Sequence, residues 1–215
     1  MPVRRLSEAT IERLPSYLRA LRTFDAGNIT SEQLATMTGV NSAKVRKDLS
    51  HFGFHGTRGV GYDVRAMRLK IERELGVTER LGVLIVGAGN LGRALANFGG
   101  FAPQGFRIAA MCDTDPSKIG SRIGSAEVRP LEQLEAIVAS ERVGIGIIAT
   151  PAEAAQQVAD RFVAAGVTSL LNFAPIALHC PDGVHVREVD LASELQILSF
   201  QMIQQHQPHL EAAAQ

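Results

Sequence analysis

The chain has 215 residues, 46% of them apolar and 20% charged, with 22 Lys+Arg set against 22 Asp+Glu. That length accommodates one or two domains with a sizeable core, and the composition is that of a globular chain, not a disordered or fibrous one. No run approaches the roughly 18 apolar residues of a membrane span, and Met1-Pro2-Val3-Arg4-Arg5 lacks the apolar stretch of a signal peptide. The expected setting is cytoplasmic, with no membrane partner and with Cys112 and Cys180 as reduced thiols.

The zero net charge hides an asymmetry. Residues 1–78 hold 13 Lys+Arg against 8 Asp+Glu, whereas residues 79–215 hold 9 against 14. A basic head on an acidic body draws one end of the molecule toward polyanions. The plainer alternative is two solvated surfaces of unequal charge.

In chain order, Ile11, Leu14, Leu18 and Leu21 have helical spacing, with Pro15 expected near a helix start or at a kink. Gly27-Asn28 is expected to end this helix. Thr30 and Gln33 form a capping-box pattern that opens a short helix, Glu32 to Thr38. Gly39 supplies the turn, and Asn41 or Ser42 caps a third helix reaching about Phe52. A short helix, a glycine turn and a second capped helix read as a helix-turn-helix.

On the third helix Val45, Leu49 and Phe52 should face the core while Lys44, Arg46 and Lys47 project outward. A recognition helix needs that division between anchoring and polyanion-facing sides. Gly53 to Tyr62 contains four glycines and suits the wing of a winged helix, with Arg58 near the tip, positioned for a narrow A·T-rich minor groove. Asp63 should cap a linking helix, Val64 to Leu75, closed by Gly76. Ser42, Lys44, Arg46, Lys47 and Arg58 are therefore the candidate DNA contacts; the alternative for each is an ordinary solvated polar residue.

Leu81 to Val86 reads as a buried strand, followed at once by Gly87-Ala88-Gly89-Asn90-Leu91-Gly92 and a helical pattern from Arg93 to Phe98. Between strand and helix, this spacing is a dinucleotide fingerprint: the glycines allow a tight turn, close approach to a pyrophosphate, and close helix–strand packing. The next strand, Phe106 to Cys112, ends at Asp113, 21 residues past Gly92. A carboxylate there suits ribose hydroxyls and repels a 2′-phosphate, which favours NAD(H) over NADP(H). Val143 to Ala149 and Thr168 to Leu171 read as further strands of a parallel sheet. The turns after them, Thr150-Pro151 and Asn172-Phe173-Ala174-Pro175, are candidate walls for a nicotinamide or simple connecting loops.

Catalytic equipment is missing from this pattern. A dehydrogenase needs an acid or base beside the nicotinamide, yet His179 and His185 have no matching partners, and no histidine or cysteine set has metal-ligand spacing. After the nucleotide-binding segment, Asp190 to Phe200 is amphipathic. Leu191, Leu195, Leu198 and Met202 mark a stripe suited to a partner or to folding back on the same chain.

With these motifs in view, the chain resembles the Rex family of redox-sensing transcriptional repressors. The resemblance is carried by Arg13-Leu14-Pro15, Val45-Arg46-Lys47-Asp48-Leu49-Ser50, Gly56-Thr57-Arg58-Gly59-Val60-Gly61-Tyr62, Gly87 to Gly92, Leu171-Asn172-Phe173-Ala174-Pro175 and Val189-Asp190-Leu191. It implies an α/β protein with a winged-helix DNA-binding domain at 1–78 and a Rossmann NAD(H)-binding domain at 79–189. A domain-swapped C-terminal helix and tail at 190–215 would complete a homodimer on a palindromic, partly A·T-rich operator. It implies that NADH releases the protein from DNA whereas NAD+ does not. The cofactor set it suggests is Gly87, Ala88, Gly89, Asn90, Leu91, Gly92, Asp113, Phe98, Thr150, Pro151 and Asn172, with Arg19 and Asp190 as a state-dependent ion pair across subunits. Phe98 and His51 stand where the family often has Tyr. The competing class is an enzyme, either a small NAD-dependent dehydrogenase or a CoA-binding relative of succinyl-CoA synthetase. A third reading is a DNA-binding protein whose nucleotide fold is vestigial.

Overall fold

The computed structural model describes residues 7–212, with side chains through Gln204. The chain divides into two compact units between Glu79 and Arg80.

The first unit consists of α1 (Glu8–Arg22), β1 (Asn28–Ile29), α2 (Ser31–Thr38), α3 (Ser42–His51), β2 (Tyr62–Asp63) and α4 (Val64–Glu74). Leu14, Tyr17, Leu18 and Leu21 of α1 pack with Leu34, Val45, Leu49, Met67 and Ile71 in one core. Pro15 does not start α1, which begins earlier, behind the N-cap Ser7, and continues through it to Arg22. Pro15 lies on the exposed side. The four large buried side chains, each contributing about 1.5–3 kcal/mol, outweigh the roughly 3 kcal/mol that an internal proline costs.

Gly27-Asn28 does not end α1 either: Thr23 is its C-cap. Asn28 and Ile29 instead pair antiparallel with Asp63 and Tyr62. Two residues are too few to show an alternating pattern, so this strand left no periodic signal. The capping box of α2 is present as expected: Thr30 Oγ1 accepts from Gln33 N at 3.2 Å, and Thr30 N donates to Gln33 Oε1 at 2.8 Å. Asn41, not Ser42, caps α3, and Asp63 caps α4.

The second unit carries β3 (Leu81–Val86), α5 (Asn90–Ala96), β4 (Phe106–Asp113), β5 (Arg122–Ile123), β6 (Ala126–Pro130), α6 (Leu134–Ser140), β7 (Val143–Ile148), α7 (Ala152–Ala164), β8 (Ser169–Asn172), β9 (His185–Glu188) and α8 (Leu191–Ala212). The sheet order is β5-β6-β4-β3-β7-β8-β9, parallel except for β5. Its six parallel strands follow the doubly wound order 3-2-1-4-5-6, which places a topological switch point between β3 and β7.

Alternation along β3 divides the core. Leu84 and Val86 face α6 and α7, packing with Ile137, Val158 and Phe162. Val83 and Ile85 face the other side with Ala96 and Met111. That second face is thinly covered. Val83, Phe101, Phe106, Ile108, Ile145, Ile147 and Leu171 line an entirely apolar groove of about 180 Å³ there.

Candidate functional site

At the switch point the glycine loop is held by backbone contact. Gly87 has φ +103° and lies against the end of β7, where an added Cβ would come within 2.3 Å of Ala149 O. A Cβ on Gly92 would fall 1.8 Å from Gly87 O, so the first and third glycines fix the turn against the helix. Gly89 is different: a Cβ there would meet nothing within 4 Å. Its open side leaves room for a ligand backbone, and no side chain caps the amides of α5 behind it. Uncapped N–H groups at that position attract phosphate.

Asp113, at the end of β4, is 9% exposed. Its Oδ2 accepts from Ala88 N at 2.7 Å and from Lys118 Nζ at 3.2 Å, while Oδ1 accepts from Asp115 N at 2.8 Å. Burial alone would raise its pKa, but the hydrogen bonds from Asp115, Ala88 and Lys118 outweigh burial and hold it below the ordinary carboxylate range. An ionised acid therefore touches the fingerprint loop.

On the other side of the loop, Leu91, Phe173, Ala174, Pro175, Asp190 and Leu191 are among the residues bordering a crevice of about 470 Å³. Thr150 follows β7, and its buried hydroxyl has no hydrogen-bond partner among the described residues. A buried hydroxyl without a partner is uncommon and suits an incoming ligand atom. Pro151 is exposed at the start of α7.

Two members of the expected cofactor set do other work within this chain. Asn172 is 1% exposed; it accepts from Ala174 N at 2.9 Å and donates to Ile176 O at 2.8 Å. It shapes the crevice wall from behind. Phe98 lies past the far end of α5, packed edge-on against Phe101 with centroids 5.0 Å apart. It lines a separate recess with Phe101, Phe106 and Gly124, and the fold does not bring it to the glycine loop of its own chain.

Among the described residues no three His, Cys, Asp or Glu side chains gather as a metal site. Both cysteines are free. Burial pushes the Cys112 thiol up to about 12, so it is protonated and unreactive at neutral pH.

In the head unit, α3 presents Lys44, Arg46 and Lys47 to solvent, while Ser42 is half-buried at the helix start. Arg46 pairs with Glu32 of α2 at 2.7 Å and donates to Ser31 Oγ at 3.2 Å. This exposed pair is worth little in stability, but it orients the guanidinium across the two helices. Arg58 is exposed in a tight turn closed by the Thr57–Gly61 bridge.

The opposite side of α3 holds a residue that apolar periodicity overlooked. Asp48 is 2% exposed and accepts from Arg13 Nε at 2.7 Å, Arg13 Nη2 at 2.8 Å, Tyr17 Oη at 2.7 Å and Thr10 Oγ1 at 3.0 Å. The signal was present: Val45, Asp48, Leu49 and Phe52 fall at i, i+3, i+4 and i+7, so an acid occupies the apolar stripe. Lys118 was overlooked as well; it sits five residues past Asp113 in a turn that the sequence marks only by Asp115-Pro116.

Arg19 is exposed on α1, and Asp190 lies in the other unit. Asp190 opens α8, accepting from Ala192 N at 2.9 Å and Ser193 N at 3.2 Å, with Ser193 Oγ at 2.5 Å. The hydrogen bonds from Ser193 hold its carboxyl below the ordinary range.

Residues 5–50 match the family described as "Putative DNA-binding protein N-terminus", and residues 78–176 match "CoA binding domain". Fold and matches together define a class of protein in which a helical DNA-binding region precedes a Rossmann-like nucleotide domain. The chain is 55% identical over 215 residues to the redox-sensing transcriptional repressor Rex of Streptomyces avermitilis, covering 99% of this chain and 84% of that protein. It is 47% identical over 205 residues to Rex of Desulforamulus reducens, covering 94% and 98%. Among solved structures, RSP, a Rex-family repressor, in complex with β-NAD+ and operator DNA is 35% identical with a TM-score of 0.87, covering 96% of this chain and 95% of that one. RSP in complex with β-NADH is 34% identical with a TM-score of 0.81, covering 98% and 99%. The chain belongs to the Rex family of redox-sensing transcriptional repressors, and the enzyme readings fall away with that membership.

Proposed function

We propose that this protein binds operator DNA as a homodimer through its head and lets go when NADH occupies the crevice of the body. The observation that carries this reading is the likeness, over 96% of the chain or more, to a repressor seen once with NAD+ and operator and once with NADH. The crevice fits such a ligand. The uncapped amides behind Gly89 face the pyrophosphate, Asp113 takes the adenosine ribose, and the Thr150 hydroxyl and Pro151 lie on the nicotinamide side with Leu91. Ala88, Asn90 and the close-packed Gly87 and Gly92 form the rest of the loop, and Asn172 holds the wall.

On the DNA side, Lys44, Lys47 and Arg46 meet phosphates and base edges in the major groove, with Ser42 at the helix start. Arg58 enters the adjacent minor groove from the winged turn, and the operator is palindromic and A·T-rich where Arg58 enters.

Dimerisation draws support from two uncovered apolar surfaces. On α8, Leu195 is 68%, Leu198 59% and Phe200 62% exposed within one chain, and the groove on the thin face of the sheet is likewise open. A helix apolar on several sides belongs in a buried setting, and exchange of α8 between subunits supplies one. In the NADH-bound arrangement Arg19 of one subunit pairs with Asp190 of the other, and Phe98 takes its cofactor role from across the interface.

A ligand shifts such a two-state equilibrium only by its differential affinity for the states. A coupling of about 1–3 kcal/mol changes operator affinity roughly 5- to 150-fold, and operator weakens NADH by the same factor. Operator titrations in the presence of NADH, NAD+ or NADPH, with NADH fluorescence followed in parallel, test the proposal. NADH should release the DNA and NAD+ should not; equal effects at saturation would refute the sensor mechanism. Absence of NADH binding would favour the vestigial-fold reading.

A further inference from the structure

We infer that Lys118 tunes the choice between a bare ribose and a 2′-phosphate, and is a latent phosphate ligand that Asp113 keeps engaged. This rests on the dinucleotide reading of the crevice. The inference comes from the saturation of Asp113. Its Oδ2 already receives Ala88 N and Lys118 Nζ, and its Oδ1 receives Asp115 N. Each carboxylate oxygen accepts about two hydrogen bonds, so Oδ1 has one place left and Oδ2 has none. A ribose diol brings two donors. To be held by both oxygens it must displace Lys118, because the Ala88 amide is fixed by the glycine loop.

The ammonium is placed for that exchange. Lys118 lies 3.2 Å from Asp113 Oδ2 and 3.5 Å from Asp115 Oδ2, and its side chain is 35% exposed. It has three donors and uses at most two here, so one remains for a ligand oxygen. Once displaced from Asp113, it stays within reach of whatever sits on the 2′-carbon. The surrounding charges then decide the preference. Two carboxylates, Asp113 and Asp115, against one ammonium leave a net negative rim that repels a 2′-phosphate, while Lys118 softens the repulsion. Removing Lys118 sharpens discrimination against NADPH. Removing Asp113 releases the ammonium and inverts the preference.

The test is fluorescence titration of NADH and NADPH on the full chain, with far-UV circular dichroism to verify folding. Lys118→Met changes a partly exposed side chain and keeps a stem of the same length while removing the ammonium. It should widen the NADPH/NADH Kd ratio by about fivefold, the factor to which ~1 kcal/mol corresponds at 25 °C. Asp113→Ser should tighten NADPH while weakening NADH, and the Asp113→Ser/Lys118→Met double variant should lose the NADPH gain. A ratio within twofold of the unmodified protein in Lys118→Met, with NADH still bound, overturns the inference alone. An NADPH gain equal in the single and double Asp113 variants does so as well. Failure of the unmodified chain to bind either dinucleotide would overturn the dinucleotide reading and this inference together.

Discussion

Replacing Asp48 with Ala tests how α3, the helix proposed to meet DNA, is held. The carboxylate accepts four hydrogen bonds from three residues of α1. Truncation leaves the Tyr17 hydroxyl, in a side chain that is 0% exposed, without an acceptor, while the Thr10 hydroxyl can still turn to Ser7 Oγ at 2.9 Å. Arg13 loses a bidentate partner, but at 25% side-chain exposure it can turn to water. Removing one member of a buried pair costs about 3–5 kcal/mol, and that escape places Asp48→Ala near 3 kcal/mol.

A unit of this size has on the order of 4–12 kcal/mol of stability, so the loss is a large fraction. It corresponds to a fall of about 12–24 °C in the midpoint of the head's unfolding. Calorimetry of the full chain, with operator binding measured well below the lowered midpoint, follows both consequences. A loss under about 1 kcal/mol would refute this account, as would additivity of Arg13→Met and Asp48→Ala in a double-mutant cycle.

The same carboxylate predicts a pH effect. Burial works against ionisation, but hydrogen bonds from Arg13, Tyr17 and Thr10 prevail and hold its pKa below the ordinary value. Because the folded value is the lower one, the stabilisation is complete above the unfolded value of about pH 4 and is lost as pH falls through the folded value. The unmodified head should therefore lose stability in acid more steeply than Asp48→Ala; parallel acid curves would assign that dependence to other groups.

Other substitutions address the remaining surfaces. Gly92→Ala should abolish NADH binding and destabilise the body by about 2 kcal/mol or more, since its Cβ would lie 1.8 Å from a backbone oxygen that cannot yield. Operator binding without ligand should survive; intact NADH fluorescence enhancement would show that the loop tolerates a side chain. Lys47→Ala and Arg58→Ala should each weaken operator binding and make the log K against log salt slope shallower by about one. Unchanged slopes would return both residues to the solvated surface. Leu195→Glu combined with Leu198→Glu should give a monomer in light scattering, and persistence of a dimer would remove α8 from the interface.

Local physics made much of this protein legible from its sequence. The capping box at Thr30, the outward cations and inward Val45, Leu49 and Phe52 of α3, and the glycine loop between β3 and α5 depend on residues within a few positions of one another. Each follows from a cap, a helical period or a turn that only glycine permits. The carboxylate at Asp113 was legible too, because strand length and helix length fix its distance from the loop.

What stayed hidden depended on partners far along the chain. β1 exists only because Asp63 and Tyr62, more than 30 residues away, offer it a ladder. The burial of Asp48 depends on α1 supplying Arg13, Tyr17 and Thr10, since an unpaired acid could not remain in a core. Asn172 is the exception, since its partners Ala174 and Ile176 lie only two and four residues on. Sequence alone determined the two kinds of unit, the glycine loop and the cationic face, all encoded in short-range spacing. Only the tertiary structure decided which polar groups are saturated, which are left without a partner, and where Lys118 stands, because hydrogen-bond saturation belongs to assembled neighbours and not to any residue's place in the chain.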